Sequence, residues 1–223
     1  MYYTAFLMAL IAGFCDVFSF VALDHLFTSH ITGNLVILIS FLIARTPGII
    51  SKVLSIPLFL IFMMVAGGII ARYGQTRRML LFWVAVEIFL ILLLMVAGWL
   101  FFPLPVTSSL FILITLLPIA AMAIHNALLR TYMSKLPPGT AMTGNLTQFA
   151  LDLTTFSLRL PPLDKALHGV KQYGNVLLGF LIGGVLGGGG YVLFGFSSLG
   201  LLILLLLVLL LHAQRVPLDE SSP

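Results

Sequence analysis

Eight apolar segments, at about 4–24, 32–44, 53–72, 79–101, 107–130, 141–158, 170–192 and 197–213, make up most of this chain, with the basic residues standing at their ends. Segments this long and this poor in charge belong in hydrocarbon, where every backbone N–H and C=O must find its partner inside the protein. With 61% hydrophobic and 8% charged residues among 223, and a mean hydropathy of +1.17, the expected class is an all-α polytopic membrane protein, a single integral membrane domain over 1–223. The lipid bilayer is its first partner. The net charge of +4 points to no nucleic acid, because the eleven basic residues are scattered as topology signals and form no patch. The single cysteine, Cys15, excludes an intrachain disulfide and cannot alone make a zinc or redox site, so it reads as packing and no cofactor or metal is expected. No cleavable signal is evident, since Met1-Tyr2-Tyr3 brings no basic lead and Asp16 interrupts the first apolar run. The tail from Val216 to Pro223 is expected to be disordered.

Crossing the hydrocarbon takes about 20 helical residues, so segment 32–44 is too short to span comfortably; 141–158 is also short and more polar. The basic residues decide what these two do. If both dip in and return to the side they came from, Arg72, Arg77, Arg78, Arg130, Lys135, Arg159, Lys165, Lys171 and Arg215 fall inside and only Arg45 and Lys52 outside. Eight full crossings would divide the same residues six to five, with no bias. The expected architecture is therefore six transmembrane helices plus two short re-entrant or broken half-helices, with both termini in the cytoplasm. Three crossings per half make the halves, about 1–103 and 106–214, inverted repeats. Gly67-Gly68-Ile69-Ile70-Ala71 and Gly183-Gly184-Val185-Leu186-Gly187 match in the same sense.

The two short segments open with the same tetrapeptide, Thr32-Gly33-Asn34-Leu35 and Thr143-Gly144-Asn145-Leu146. The first copy follows Asp16 by sixteen residues and the second follows Asn126 by seventeen. A helix start leaves backbone N–H groups without partners, and at membrane depth these must meet a side chain, an ion or a ligand. Thr caps, Gly admits close approach, Asn both donates and accepts, and the helix start carries partial positive charge. An ordinary capped helix start is the plainer alternative for either copy alone.

Other polar residues lie within the apolar segments. Asp16 stands well inside the first, either as a substrate or proton group or as a hydrogen-bonded lock between helices. Its counterpart Asn126 cannot titrate, which would confine any proton coupling to one half. Glu87 is expected to pair with a neighbour such as Arg130, with a second proton site as the alternative. His125 reads as a hydrogen-bonded interior histidine, while His25 and His30 flank the first motif on the outer loop, guarding an entrance or simply solvated. Asn145, Gln148, Asp152, Thr155 and Arg159 share one helical face, expected to line a cavity or else to lie along the membrane interface. Gly179, Gly183 and Gly187 form a stripe for close helix packing, inside the chain or in a homodimer, and Gly187 to Gly190 could soften the helix into a hinge.

Ala12-Gly13-Phe14-Cys15-Asp16, Ser29-His30-Ile31-Thr32-Gly33-Asn34, His125-Asn126-Ala127-Leu128-Leu129-Arg130 and Thr140-Ala141-Met142-Thr143-Gly144-Asn145-Leu146-Thr147 resemble the YoaK-like family of small bacterial inner-membrane proteins. Their domain is one of unknown function, numbered 1275. The resemblance covers nearly the whole chain, departing where His125 replaces a usual Gln. It implies a six-helix inner-membrane protein often described as a transporter, and it supplies no substrate.

The expected function is a membrane transporter or channel for a small polar or anionic solute, with proton coupling as an option. Thr32, Gly33, Asn34, Thr143, Gly144 and Asn145 would form the substrate site, with Asp16, Asn126, His125 and Gln148 beside it. The competing expectation is a non-transporting accessory or assembly protein whose polar interior only fixes helix packing. An enzyme is not expected, for no nucleophile set, metal spacing or phosphate loop is present.

Overall fold

The computed structural model describes residues 2–213, which are helical almost throughout; the expectation for the tail lies outside them. The helices are α1 (Tyr2–Ala22), α2 (Ile31–Ala44), α3 (Ile49–Tyr73), α4 (Arg77–Phe101), α5 (Ser109–Tyr132), α6 (Met142–Ser157), α7 (Leu163–Phe194) and α8 (Leu199–Ala213), with a 3-10 turn at Gly195–Ser198. Their ends follow from local chemistry. Thr76 and Ser108 cap α4 and α5, each hydroxyl accepting from the amide three residues on, at 3.3 Å from Met79 and 3.1 Å from Phe111. Helix α7 begins seven residues before the expected 170, behind Pro162 and with Asp164 in its first turn. Its 32 residues run unbroken through Gly187 to Gly190, so the glycine run is no break.

Contacts along α1 give the directions of its neighbours. Tyr2, Phe6, Leu10, Phe14 and Phe18 meet in turn His168, Gly179, Gly183, Gly187 and Tyr191, so α7 runs parallel to α1. Phe196 lies against Phe18 and His212 against Tyr3, so the chain reverses after α7 and α8 returns antiparallel to α1. Trp99 reaches Ser197, Phe102 stacks near both Phe111 and Phe196, and His125 reaches Met8; α4 therefore runs with α1 and α5 against it. Helix α3 runs from the Lys52–Asp24 pair, beyond the end of α1, down to the α3–α4 turn, where Tyr132 Oη donates to Thr76 O. Arg72, Arg77, Arg78, Arg130, Lys135, Arg159, Lys165 and Lys171 consequently gather at the end where α1 begins, and Arg45 and Lys52 at the other.

Helices α1 and α5 are the central pair, each 78% buried over its most apolar window, against 17% for α3 and 33% for α4. A Cβ on Gly179, Gly183 or Gly187 would stand 2.6, 2.0 or 2.2 Å from the carbonyl oxygens of Phe6, Leu10 and Phe14. Only glycine permits that backbone approach, and the stripe is an internal seam between α1 and α7. Elsewhere α3 packs on α5, α2 on α3, α6 on α7, α4 on α5 and α8, and α8 on α1. Outer faces such as Val36, Ile39, Leu60, Met64, Val185 and Val192 are exposed and apolar, as lipid requires. Among the described residues, five stretches are long and apolar enough to cross a membrane, the last, Leu163–His212, joining α7 and α8. The chain is an all-α, multi-pass membrane protein.

Candidate functional site

Asp16 stands six residues before the end of α1, about 9 Å back along the helix at 1.5 Å per residue. Past Ala22 the chain turns on Asp24 and His25, both left-handed at φ 55 and 58, and doubles back towards that carboxylate. Asp16 Oδ1 accepts from Thr28 N at 2.7 Å, Thr28 Oγ1 at 2.9 Å and Ser29 N at 2.7 Å, while Oδ2 pairs with His30 Nδ1. Four donors on one buried carboxylate fix residues 28–30 at its depth. Asn34 closes the turn from the other side. Its Oδ1 accepts from Phe27 N at 2.9 Å, and its Nδ2 donates to Phe27 O at 2.7 Å and to Ser55 Oγ of α3 at 3.2 Å. Farther out, the buried Lys52 of α3 pairs with Asp24 and lies 4.8 Å from the Phe41 ring centroid of α2.

The second turn repeats the plan with fewer bonds. Asn126, six residues before the end of α5, accepts from Thr140 Oγ1 at 2.5 Å and gives its Nδ2 to Met122 O of its own helix at 2.9 Å. Asn145 Nδ2 donates to Pro138 O at 2.8 Å. Each motif Asn thus reaches the residue seven before it, but Pro138 has no N–H to return. Gly139 rests on α1, where a Cβ would lie 3.0 Å from Ala9 Cα.

Between the two turns lies a cavity of about 330 Å³ lined by Ser29, His30, Ile31 and Thr32, by Thr140, Ala141, Met142, Thr143 and Gly144, and by Phe59 of α3. Helices α2 and α6 both start here, and neither His30 nor Ala141 at their N-caps supplies a side-chain cap. The third amide of α2 turns back on its own start, Gly33 N donating to His30 O at 2.8 Å, so the groups without a side-chain cap are the earlier first-turn amides. Ser29 Oγ is buried without a hydrogen-bond partner among the described residues. His30 has its Nδ1 held by Asp16 and its ring against Phe27 and Phe180. The lining brings the hydroxyls of Thr32, Thr140 and Thr143 and the His30 imidazole together with the apolar Ile31, Phe59, Ala141 and Met142.

A family profile described as "Protein of unknown function (DUF1275)" matches residues 4–212. The chain belongs to this family. No curated protein and no solved structure matches it.

Within this DUF1275 chain, the residues expected to form the site divide into two groups. Thr32, Thr143 and Gly144 line the cavity. Gly33 does not; it faces the Phe27 ring, 2.8 Å from where its Cβ would be. Asp16, Asn34, Asn126 and Asn145 do not line the cavity; their side chains hold the turns that do. His125 lies deeper, 2.8 Å from Glu87 Oε1 and 3.1 Å from Met8 O, and the partner of Glu87 is thus His125 and not Arg130. Gln148 Nε2 donates to Asp152 at 3.0 Å, and Asp152 presses on Gly169, so the polar face of α6 turns towards α7 and not into the cavity.

Ser29, His30 and Thr140 are the polar lining residues that lie outside the tetrapeptides. A signal for two of them is present in the sequence: His30 follows Asp16, and Thr140 follows Asn126, by the same fourteen residues. His30 is half-buried, its side chain 27% exposed. It sits at the depth of the Asp16 carboxylate because that carboxylate draws the loop inward.

Proposed function

We propose that this chain is a membrane transporter or channel for a small anionic solute, bound in the cavity between the two Thr-Gly-Asn turns. The observation that carries the reading is that α2 and α6 come from opposite ends of the bundle and leave uncapped N-termini at one cavity. Two half-helix dipoles then point their positive ends at one volume, an arrangement that favours negative charge. No catalytic role is part of the proposal.

The accompanying architecture is six crossings and two re-entrant half-helices arranged as inverted repeats. Exchanging α1 with α5, α2 with α6, α3 with α7 and α4 with α8 maps α1–α7 onto α5–α3, α2–α3 onto α6–α7, α4–α5 onto α8–α1, and α4–α8 onto itself. The exchanged helices run in opposite directions. The basic end, where α1 begins, is proposed to face the cytoplasm, with the protein in the bacterial inner membrane.

Purified protein in liposomes tests this. Influx of chloride, nitrate or phosphate is expected for at least one of the three, reduced about tenfold or more by Thr32→Val together with Thr143→Val, each of which removes a hydroxyl from the wall. Influx unchanged by the double substitution would remove the cavity from the pathway. An accessory or assembly protein is the second reading, favoured by the use of Asp16, Asn34 and Asn145 in closing turns. It predicts lower melting temperatures for Asp16→Asn and Asn145→Leu and no flux in any case.

A further inference from the structure

Glu87 in the middle of α4 and His125 of α5 are both wholly buried. The imidazole bridges two elements, with Nδ1 at 2.8 Å from Glu87 Oε1 and Nε2 at 3.1 Å from the carbonyl oxygen of Met8 in α1. A carbonyl oxygen can only accept, so Nε2 carries a hydrogen, and one further proton lies between Nδ1 and Oε1. Whichever atom owns that proton, the pair is neutral as a unit. Glu87 Oε2 is different: it is buried and has no hydrogen-bond partner among the described residues. It is the atom of the pair with capacity for a second proton.

We propose that the Glu87–His125 pair is a proton-binding site coupled to the anion cavity, so that a proton travels with the solute. The inference rests on the anion reading of the cavity. Both partners of the imidazole's surroundings lead to the second turn. His125 is followed by Asn126, which holds Thr140 of the cavity wall, and Met8 is followed by Ala9, on which Gly139 rests. A second proton forms an O–H on Oε2 and gives the pair one positive charge, which balances the single negative charge of a monovalent anion bound in the cavity. Releasing the proton on the far side restores the neutral pair, and no other bond changes. Joint passage is electroneutral, which suits a path through a low-dielectric interior.

Of the other titratable groups, His30 lines the cavity itself, with its Nδ1 held by Asp16. Asp16 is saturated by its four donors. Around Glu87, α1 contributes Cys15 and α5 contributes His125. Of the other helices packed on α4, the ionisable residues of α3 are Lys52, paired with Asp24, and the exposed Arg72 and Tyr73, while α8 offers only His212, bonded to Thr4.

The test uses full-length protein in liposomes containing a pH-sensitive dye, with inward gradients of chloride, nitrate or phosphate applied in turn. Wild type is expected to acidify the interior as the anion enters. Glu87→Gln keeps the shape but cannot take up the second proton. It should pass the same anion with acidification reduced at least tenfold. Glu87→Met, which also removes the carboxyl at similar volume, should behave alike and carries the test if the first variant fails to elute as a single species. Acidification undiminished in the variants, or anion entry without acidification in wild type, overturns the proton site while leaving the anion cavity standing. Entry of none of the three anions overturns the cavity reading and the coupling with it.

Discussion

The two turns share a tetrapeptide, a polar anchor six residues from the end of the preceding helix, and a bond from Asn to the residue seven before it, yet they are held very differently. The first is fixed by four donors on Asp16, by three hydrogen bonds of Asn34 and by the Lys52–Asp24 pair. The second is held by Thr140 on Asn126 and by Asn145 on Pro138. The difference begins with one atom. A carboxylate accepts with both oxygens, whereas Asn spends its amide on Met122 of its own helix and has a single oxygen for the loop. The second loop in turn carries Pro138 where the first has an N–H to offer. Fewer bonds mean a lower free energy of local opening, so the α6 side is the compliant wall of the cavity.

The comparison breaks most visibly if the anchors prove equivalent. Asp16→Ala strands four donors, three of them buried, and is expected to cost about 3–5 kcal/mol, against about 1 kcal/mol for Asn126→Ala, read as unfolding free energies in detergent. Next come the seams on which each half closes. Gly183→Ala puts a methyl 2.0 Å from the Leu10 carbonyl oxygen, whereas Gly67 on the corresponding helix α3 has nothing within 4 Å. The first substitution should cost about 1–3 kcal/mol and the second should be neutral or slightly stabilising, since Ala is the better helix former. Asn34→Ala loses three bonds and Asn145→Ala one, for about 2 and 1 kcal/mol respectively. The smallest effect needs no substitution: amides of residues 133–141 should exchange hydrogen faster than those of 24–30, in peptides read by mass spectrometry.

Much of this was legible in the residues, and what was not has a physical cause. Hydropathy shows the apolar helices because bilayer thickness sets their length, and the shortness of 32–44 and 141–158 marks α2 and α6 as helices of another kind. The paired motifs mark the cavity because uncapped helix starts at depth need particular residues. The direction of side chains was not legible. Asn34, Asn145 and Asp16 look like ligand groups on the page, but their bonds close within the chain and leave Thr32, Thr143 and the hydroxyl of Ser29 at the wall. The pairing of Glu87 with His125 joins residues 38 apart on two helices, which no local pattern encodes. Likewise the polar face of α6 gives its period away, but not that Gly169 of α7 opens a place for Asp152.

The account depends most on α2 and α6 reaching the cavity from opposite sides of the membrane. Arg45 and Arg159, each left-handed just beyond one of these helices at φ 52 and 54, report it directly. In a Cys15→Ser background, Arg45→Cys and Arg159→Cys would be exposed in intact cells to a thiol reagent that cannot cross the membrane. Labelling of the first from outside, and of the second only after permeabilisation, is the predicted result. Labelling of both from one side would contradict it.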